Sequence, residues 1–179
     1  HIVFENVWFA YDDERWVLKN FSVDIRPGMK VGVVGHTGAG KTTLISLLMR
    51  FYEPQKGRIL LDGRDIRDYD RRSLRAAIGI VQQDVFLFSG TFKDNVTIWR
   101  DIEVPTRALS RFNFTDVSME KELHERGVNL SMGERQVLAF ARALASDPRI
   151  WILDEATANV DSESELELER ALLESARDR

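Results

Sequence analysis

The chain has 179 residues, enough for one substantial hydrophobic core. Its formal net charge is -4, from 25 Lys and Arg against 29 Asp and Glu, which argues against the concentrated basic surface of nucleic-acid-binding proteins, so we predict no nucleic-acid partner. The absence of cysteine excludes disulfides, thiol catalysis and cysteine-ligated zinc, and no apolar run reaches the roughly 20 residues of a membrane-spanning helix.

The first part of the chain predicts three strands and one helix. Residues 1–9 and 16–25 are rich in β-branched and aromatic residues and predict two strands, with a polar turn at residues 11–15 between them. Residues 30–34, KVGVV, are short, apolar and β-branched, which is typical of a buried strand. A glycine-rich stretch then leads into residues 42–51, whose apolar positions have helical spacing.

Strands and helices continue to alternate in the rest of the chain. The predicted strands are residues 57–62, 78–82 and 150–153, and the predicted helices are residues 70–77, 133–145 and 162–179. Residues 92–126 are polar and mixed, and we expect them to be helical in parts. This alternation predicts an α/β fold with a largely parallel sheet.

Residues 35–42 form a phosphate-loop motif, G-x-x-x-x-G-K-[ST], between a predicted strand and a predicted helix. Glycines let backbone N–H groups approach a polyphosphate closely, and the helix adds the positive end of its dipole. A glycine-rich turn with a chance lysine is the alternative that this context disfavours. We interpret His36 as a variable position rather than a base. The predicted binding residues are Gly35, His36, Thr37, Gly38, Ala39, Gly40, Lys41, Thr42 and Thr43, with Lys41 on the β- and γ-phosphates and Thr42 on Mg²⁺.

Two carboxylates, Asp154 and Glu155, end the predicted strand at residues 150–153. Ligands of open α/β sheets bind at this end of the strands. Asp154 is placed to hold Mg²⁺, and Glu155 to polarise an attacking water as a general base. The alternative is that these carboxylates simply cap the N-terminus of a helix. The phosphate loop upstream favours the metal and catalytic roles instead.

Taken together, these motifs and five further features resemble the ABC ATPase family, in the family's order and over nearly the whole chain. Residues 130–136, LSMGERQ, resemble the family's signature, usually Leu-Ser-Gly-Gly-Gln, and residues 139–148 and 158–161 resemble the segment after it and the D-loop. Gln83 matches the glutamine of the Q-loop, although it could be a solvated loop residue with Gln82 as a weaker candidate. Tyr11 matches the aromatic residue that stacks on adenine, although it could be an ordinary aromatic residue at a strand end.

The resemblance implies a P-loop NTPase core of the RecA type with a mostly parallel sheet, an N-terminal antiparallel β subdomain and a small helical subdomain at residues 92–145, in a single domain of residues 1–179. It implies ATP and Mg²⁺ as the bound groups. Gln83 would join Thr42 and Asp154 at the metal, and Lys41 and Gln83 would assist Glu155 in catalysis. Two such domains would pair head to tail, with Ser131, Gly133 and Asp161 completing the nucleotide site.

Several segments look most like those of ABC exporters. These are residues 51–63 and 86–91, and residues 122–127, which resemble the exporter X-loop unless they are a simple surface loop. Exporter membership implies transmembrane domains as partners, membrane contact only through those domains, and a location on the cytoplasmic side of the cell membrane. A non-transport ABC ATPase and a regulatory module with little turnover remain the alternative functions.

The sequence departs from the family pattern in two places. Met132 and Glu134 replace glycine and glutamine of the signature, while Glu155 is intact. This combination favours a heterodimer in which a partner chain supplies the intact signature, although a homodimer remains open. The family's switch histidine is also absent and residues 95–130 look shorter than usual, so we expect the C-terminal part that carries the histidine to be missing.

Overall fold

In the computed structural model, which describes residues 1–12, 15–82, 86–98 and 118–154, the chain begins with an antiparallel sheet. Its strands lie in the order β2-β1-β3-β4. The side chains of Phe4, Val7 and Phe9 in β1 are buried. The four strands are β1 (Ile2–Ala10), β2 (Trp16–Ile25), β3 (Lys56–Leu61) and β4 (Arg64–Asp65). The N-terminal antiparallel sheet that the resemblance implied is therefore confirmed.

Two helices and a 3-10 turn accompany this sheet. Helix α1 (Lys41–Leu48) directly follows the phosphate loop and buries Leu47 and Leu48. The 3-10 turn (Ile66–Asp68) leads from β4 toward helix α2 (Arg71–Ala76).

The parallel part of the described structure is a pair of strands, β5 (Ile78–Gln82) and β8 (Ile150–Asp154). They pair in register from Ile78 opposite Ile150 to Gln82 opposite Asp154. Because the strands are parallel, the side chains that follow each of them emerge at the same edge of the sheet. This edge is where the predicted acidic motif begins.

A small helical layer packs on a second apolar core. Helices α3 (Phe92–Thr97) and α4 (Met132–Leu144) lie near the two-residue strands β6 (Gly90–Thr91) and β7 (Glu122–Leu123) and a 3-10 turn (Glu125–Gly127). Thr91 and Ser131 begin the two helices with capping boxes, which satisfy N–H groups that a helix start leaves unpaired. The core beneath them consists of Leu87, Phe92, Val96, Leu123, Leu130, Val137, Leu138 and Ala141.

The described residues fall into two compact units, residues 1–75 and residues 76–154. The first contains the antiparallel sheet and the phosphate loop. The second contains the β5–β8 pair and the helical layer. No helix in the described part of the chain is both long enough and apolar enough to span a bilayer.

The strand predicted at residues 30–34 is wrong. These residues form no regular structure, and the side chains of Val31, Val33 and Val34 are exposed, with Val34 97% exposed. An apolar β-branched run becomes a buried strand only where neighbouring strands satisfy its N–H and C=O groups. Among the described strands none pairs with this segment.

Candidate functional site

The phosphate loop makes a tight turn in front of α1. The N–H of Ala39 donates to the carbonyl oxygen of His36 at 3.0 Å, and Gly40 is the N-cap residue of the helix with φ +95°. A Cβ at Gly40 would lie 3.1 Å from Leu18 and 3.2 Å from Val17, so a larger residue would be both strained and crowded. No side chain caps the helix start, which leaves the first N–H groups of α1 available to an anion.

Lys41, the first residue of α1, is held at the loop. Its ammonium donates to the carbonyl oxygens of Gly35 at 2.7 Å and His36 at 3.2 Å. An ammonium has three donors, so a third N–H remains for a phosphate oxygen. The next residue, Thr42, is exposed, and its hydroxyl is a hard oxygen ligand of the kind that Mg²⁺ takes. The donor set of the loop therefore fits a polyphosphate with its metal ion.

Tyr11 lies beside the helix that follows the loop. Its hydroxyl is 3.1 Å from Oγ1 of Thr43, a buried residue of α1. Its ring is 53% exposed and contacts Phe9 and Tyr52 edge to face, with centroids 4.9 Å and 5.1 Å away. A half-exposed ring attached to the phosphate-loop helix is suited to stacking on a planar base.

Asp154 ends β8 directly opposite Gln82 of β5, at the carboxyl edge of the parallel pair. Its side chain is half-buried. A carboxylate in this place fits the metal-holding role that the sequence predicts. Gln83 follows Gln82 and Glu155 follows Asp154, and both lie outside the described residues.

The signature begins α4 with a capping box that uses the unusual Glu134. The N–H of Ser131 donates to Glu134 Oε2 at 2.8 Å, and the N–H of Glu134 donates to Ser131 Oγ at 3.2 Å. The other carboxylate oxygen of Glu134 accepts from Lys121 Nζ at 2.6 Å. The negative charge that the sequence places in the signature is thus paired within this chain. A Cβ at Gly133 would meet nothing within 4 Å, which leaves the backbone there open to approach.

Replacing Glu134 by alanine is expected to lower the free energy of unfolding by about 1 kcal/mol at pH 7, because the capping box loses a member. The Lys121 ammonium and then the Ser131 N–H lower the pKa of Glu134. A carboxyl whose pKa is lower in the folded chain stabilises above its unfolded pKa of about 4.3, and that contribution disappears as the pH falls through the folded pKa.

Urea unfolding at pH 7 and at lower pH checks this prediction, and the difference between wild type and Glu134→Ala should shrink on acidification. Glu120→Ala, at an exposed turn position, is the matched control and should change stability little at either pH. An equal loss at every pH would show that the ionised carboxylate contributes nothing.

The described structure brings together part of the predicted site in each compact unit. In the first, Tyr11 and Thr43 are in contact beside the phosphate loop, while His36 is exposed with Nδ1 2.8 Å from the Thr37 carbonyl oxygen. In the second, Asp154 lies at the sheet edge, and Ser131 and Gly133 begin α4. Gln83, Glu155 and Asp161 fall outside the described residues, so their roles stay predictions.

Sequence reasoning missed a partly buried polar network around Arg142 of α4. Its guanidinium donates to the carbonyl oxygens of Asn95 at 2.9 Å and Phe86 at 3.0 Å, and Nη2 is 3.4 Å from Asn95 Oδ1. Asn95 is fully buried and also bonds both the N–H and the carbonyl oxygen of Phe88. The only sequence signal was an arginine in the otherwise apolar run of residues 137–144. The network joins α3, α4 and the segment after the predicted Q-loop.

The chain is similar to known proteins over most of its length. A family model described as ABC transporter matches residues 18–158. The uncharacterized ABC transporter ATP-binding protein YknV of Bacillus subtilis is 45% identical over 180 residues, which are 96% of this chain and 30% of that protein. The fatty acid ABC transporter ATP-binding/permease protein of Mycobacterium tuberculosis is 43% identical over 187 residues, which are 99% of this chain and 30% of that protein.

A solved structure is similar over nearly the whole chain. The structure of a bacterial Atm1-family ABC exporter with ATP bound has a TM-score of 0.87 and 38% sequence identity, covering 98% of this chain and 32% of that one. The chain therefore spans less than a third of the length of each of these relatives. The family match and this structural similarity show that the chain has the P-loop NTPase fold of ABC ATPase domains.

Proposed function

Because the chain belongs to the ABC transporter family, whose ATP-binding domains are ATPases coupled to transport, we propose that it binds and hydrolyses ATP to drive export by a membrane transporter. The observation that carries the proposal is the phosphate loop, where Lys41 is held by two loop carbonyl oxygens and α1 begins without a side-chain cap. Transport of the substrate belongs to the longer protein of which such domains are part.

Each group of residues in the nucleotide site has a role that its chemistry suits. Residues 35–43 hold the phosphates through backbone N–H groups and the Lys41 ammonium, and Tyr11 stacks on the adenine. By the family resemblance, Thr42, Gln83 and Asp154 would hold Mg²⁺, which would neutralise phosphate charge when bound. Glu155 accepts a proton from the attacking water.

The second half of the site comes from another domain of the same kind. Ser131, the N–H groups at the start of α4 and Asp161 would face the nucleotide of that second domain, with Gly133 giving the backbone room. We place the second domain in a partner chain, because Met132 and Glu134 depart from the usual signature. Because Lys121 pairs with Glu134, the charge of Glu134 no longer argues against a homodimer. The replacement of the signature glycine by Met132 still does.

Light scattering on the full chain carrying Glu155→Gln, which keeps bound ATP unhydrolysed, tests the pairing. With a partner chain as the second domain, the full chain is expected to bind MgATP and to keep the mass of a monomer. An MgATP-dependent doubling of the mass would show that this signature closes a second copy's site, and the proposal of a partner chain would then be wrong.

The exporter assignment rests on the relatives. From the likeness to an ATP-binding/permease protein and to an Atm1-family exporter, we infer that transmembrane domains are the membrane partners and that this domain lies on the cytoplasmic side of the cell membrane. Co-purification of the full-length protein with membranes, and its loss when transmembrane segments are removed, tests the partnership with transmembrane domains. A regulatory module with little turnover is the second candidate, favoured only by the altered signature.

A further inference from the structure

Tyr11 is fixed by more of the first compact unit than its hydroxyl contact. Three aromatic rings meet at the end of β1: Phe9, which is 2% exposed, and the half-exposed Tyr11 and Tyr52. Phe9 lies 5.6 Å from Tyr52, so each ring contacts both others. The planes of Tyr11 and Tyr52 are at 89°, the edge-to-face geometry that aromatic pairs prefer.

The backbone before Tyr11 is held by Gln55, three residues after Tyr52. The side-chain amide of Gln55 accepts from the N–H of Ala10 at 3.1 Å and donates to its carbonyl oxygen at 2.8 Å. The N–H of Gln55 also donates to the Trp8 carbonyl oxygen at 3.0 Å. Residues 52–55 therefore hold both the backbone and the ring at the end of β1.

We propose that Tyr52 is a positioning residue for adenine recognition, which holds the Tyr11 ring at the angle needed to stack on the base. The inference rests on the proposed function of Tyr11. Ordering a side chain before the ligand arrives removes that ordering cost from binding. Tyr52 acts through the ring of Tyr11 and makes no contribution to phosphate binding.

Calorimetric titration of the full chain with ATP and with inorganic triphosphate tests the inference. Tyr52→Ala is expected to weaken ATP binding by about 3- to 10-fold and to leave triphosphate binding unchanged. Tyr52→Phe keeps the ring and should restore the affinity for ATP. Phe51→Ala is the matched control, because Phe51 is an exposed neighbour whose ring packs on the Arg75 guanidinium at 4.6 Å.

A double-mutant cycle separates an indirect from a direct role. If Tyr52 acts through Tyr11, adding Tyr52→Ala to Tyr11→Ala causes no further loss of ATP affinity. A further loss would mean that Tyr52 contacts the base itself, and an equal loss for triphosphate would mean a general structural role; either result overturns the inference. If Tyr11→Ala alone leaves ATP binding intact, the proposed adenine contact is wrong and the inference falls with it. If Tyr11→Ala weakens ATP binding and Tyr52→Ala does not, only the inference is wrong.

Discussion

Lys41→Ala is expected to weaken ATP binding by about 100-fold, which corresponds to about 3 kcal/mol. In the structure the ammonium is held by the carbonyl oxygens of Gly35 and His36, so it is already ordered at the loop before a third donor reaches phosphate. A charge-assisted bond from a pre-positioned donor is stronger than one between neutral groups. Alanine removes the charge and the donor without altering the helix start, since alanine has the highest helix propensity.

Calorimetric titration with MgATP measures this loss, with Lys19→Ala as the matched control. Lys19 is an exposed residue of β2 in the same compact unit. Its replacement should leave ATP affinity within about twofold, because single exposed charges contribute little at physiological salt. Unchanged ATP binding in Lys41→Ala would mean that the nucleotide does not use this loop.

Arg142→Met is expected to lower the free energy of unfolding by about 2 to 4 kcal/mol. Burial lowers the pKa of Arg142 to about 10, because the charged guanidinium loses contact with water. Arg142 is still charged at pH 7. Methionine relieves that cost and keeps an apolar stem, but it leaves the carbonyl oxygens of Phe86 and Asn95 without this donor. We expect the loss to dominate, because removing one partner of a buried polar network costs more than the bond contributes on average.

Chemical denaturation measures this effect, and Arg149→Met is the matched control. Arg149 is exposed in the loop before β8, so its replacement should change stability by less than about 0.5 kcal/mol. Equal effects of the two substitutions would show that the partly buried network contributes no more than a surface charge. Because the network includes the backbone of Phe86 and Phe88, the Arg142 variant should also loosen residues 86–88.

Local patterns predicted most strands correctly. The observed bounds of β2 and β5 coincide with the predicted residues 16–25 and 78–82; β1 is shifted by one residue at both ends, and β8 extends one residue beyond its predicted end. These strands carry alternating or continuous apolar residues bounded by turn residues, which is a local signal. The motif at residues 35–42 likewise predicted a glycine loop before a helix, and α1 begins at Lys41.

Features set by distant contacts escaped prediction. The Lys121–Glu134 bond joins residues 13 apart and the Arg142–Asn95 bond joins residues 47 apart, and composition indicates neither. Two-residue strands such as β4 and β6 are too short for periodicity to reveal. The apolar run at residues 30–34 shows the opposite failure, because burial depends on neighbouring strands that a local pattern does not specify.

ATP turnover by the full-length protein assembled with its partner chain is to be compared with turnover by the same assembly carrying Glu155→Gln. The variant is expected to bind ATP about as tightly as wild type but to lose turnover by about 100-fold or more, because a general base is removed while the phosphate loop is intact. Turnover that persists in the variant assembly, or a wild-type assembly that binds ATP without hydrolysing it, would contradict an ATPase that uses this acidic strand end.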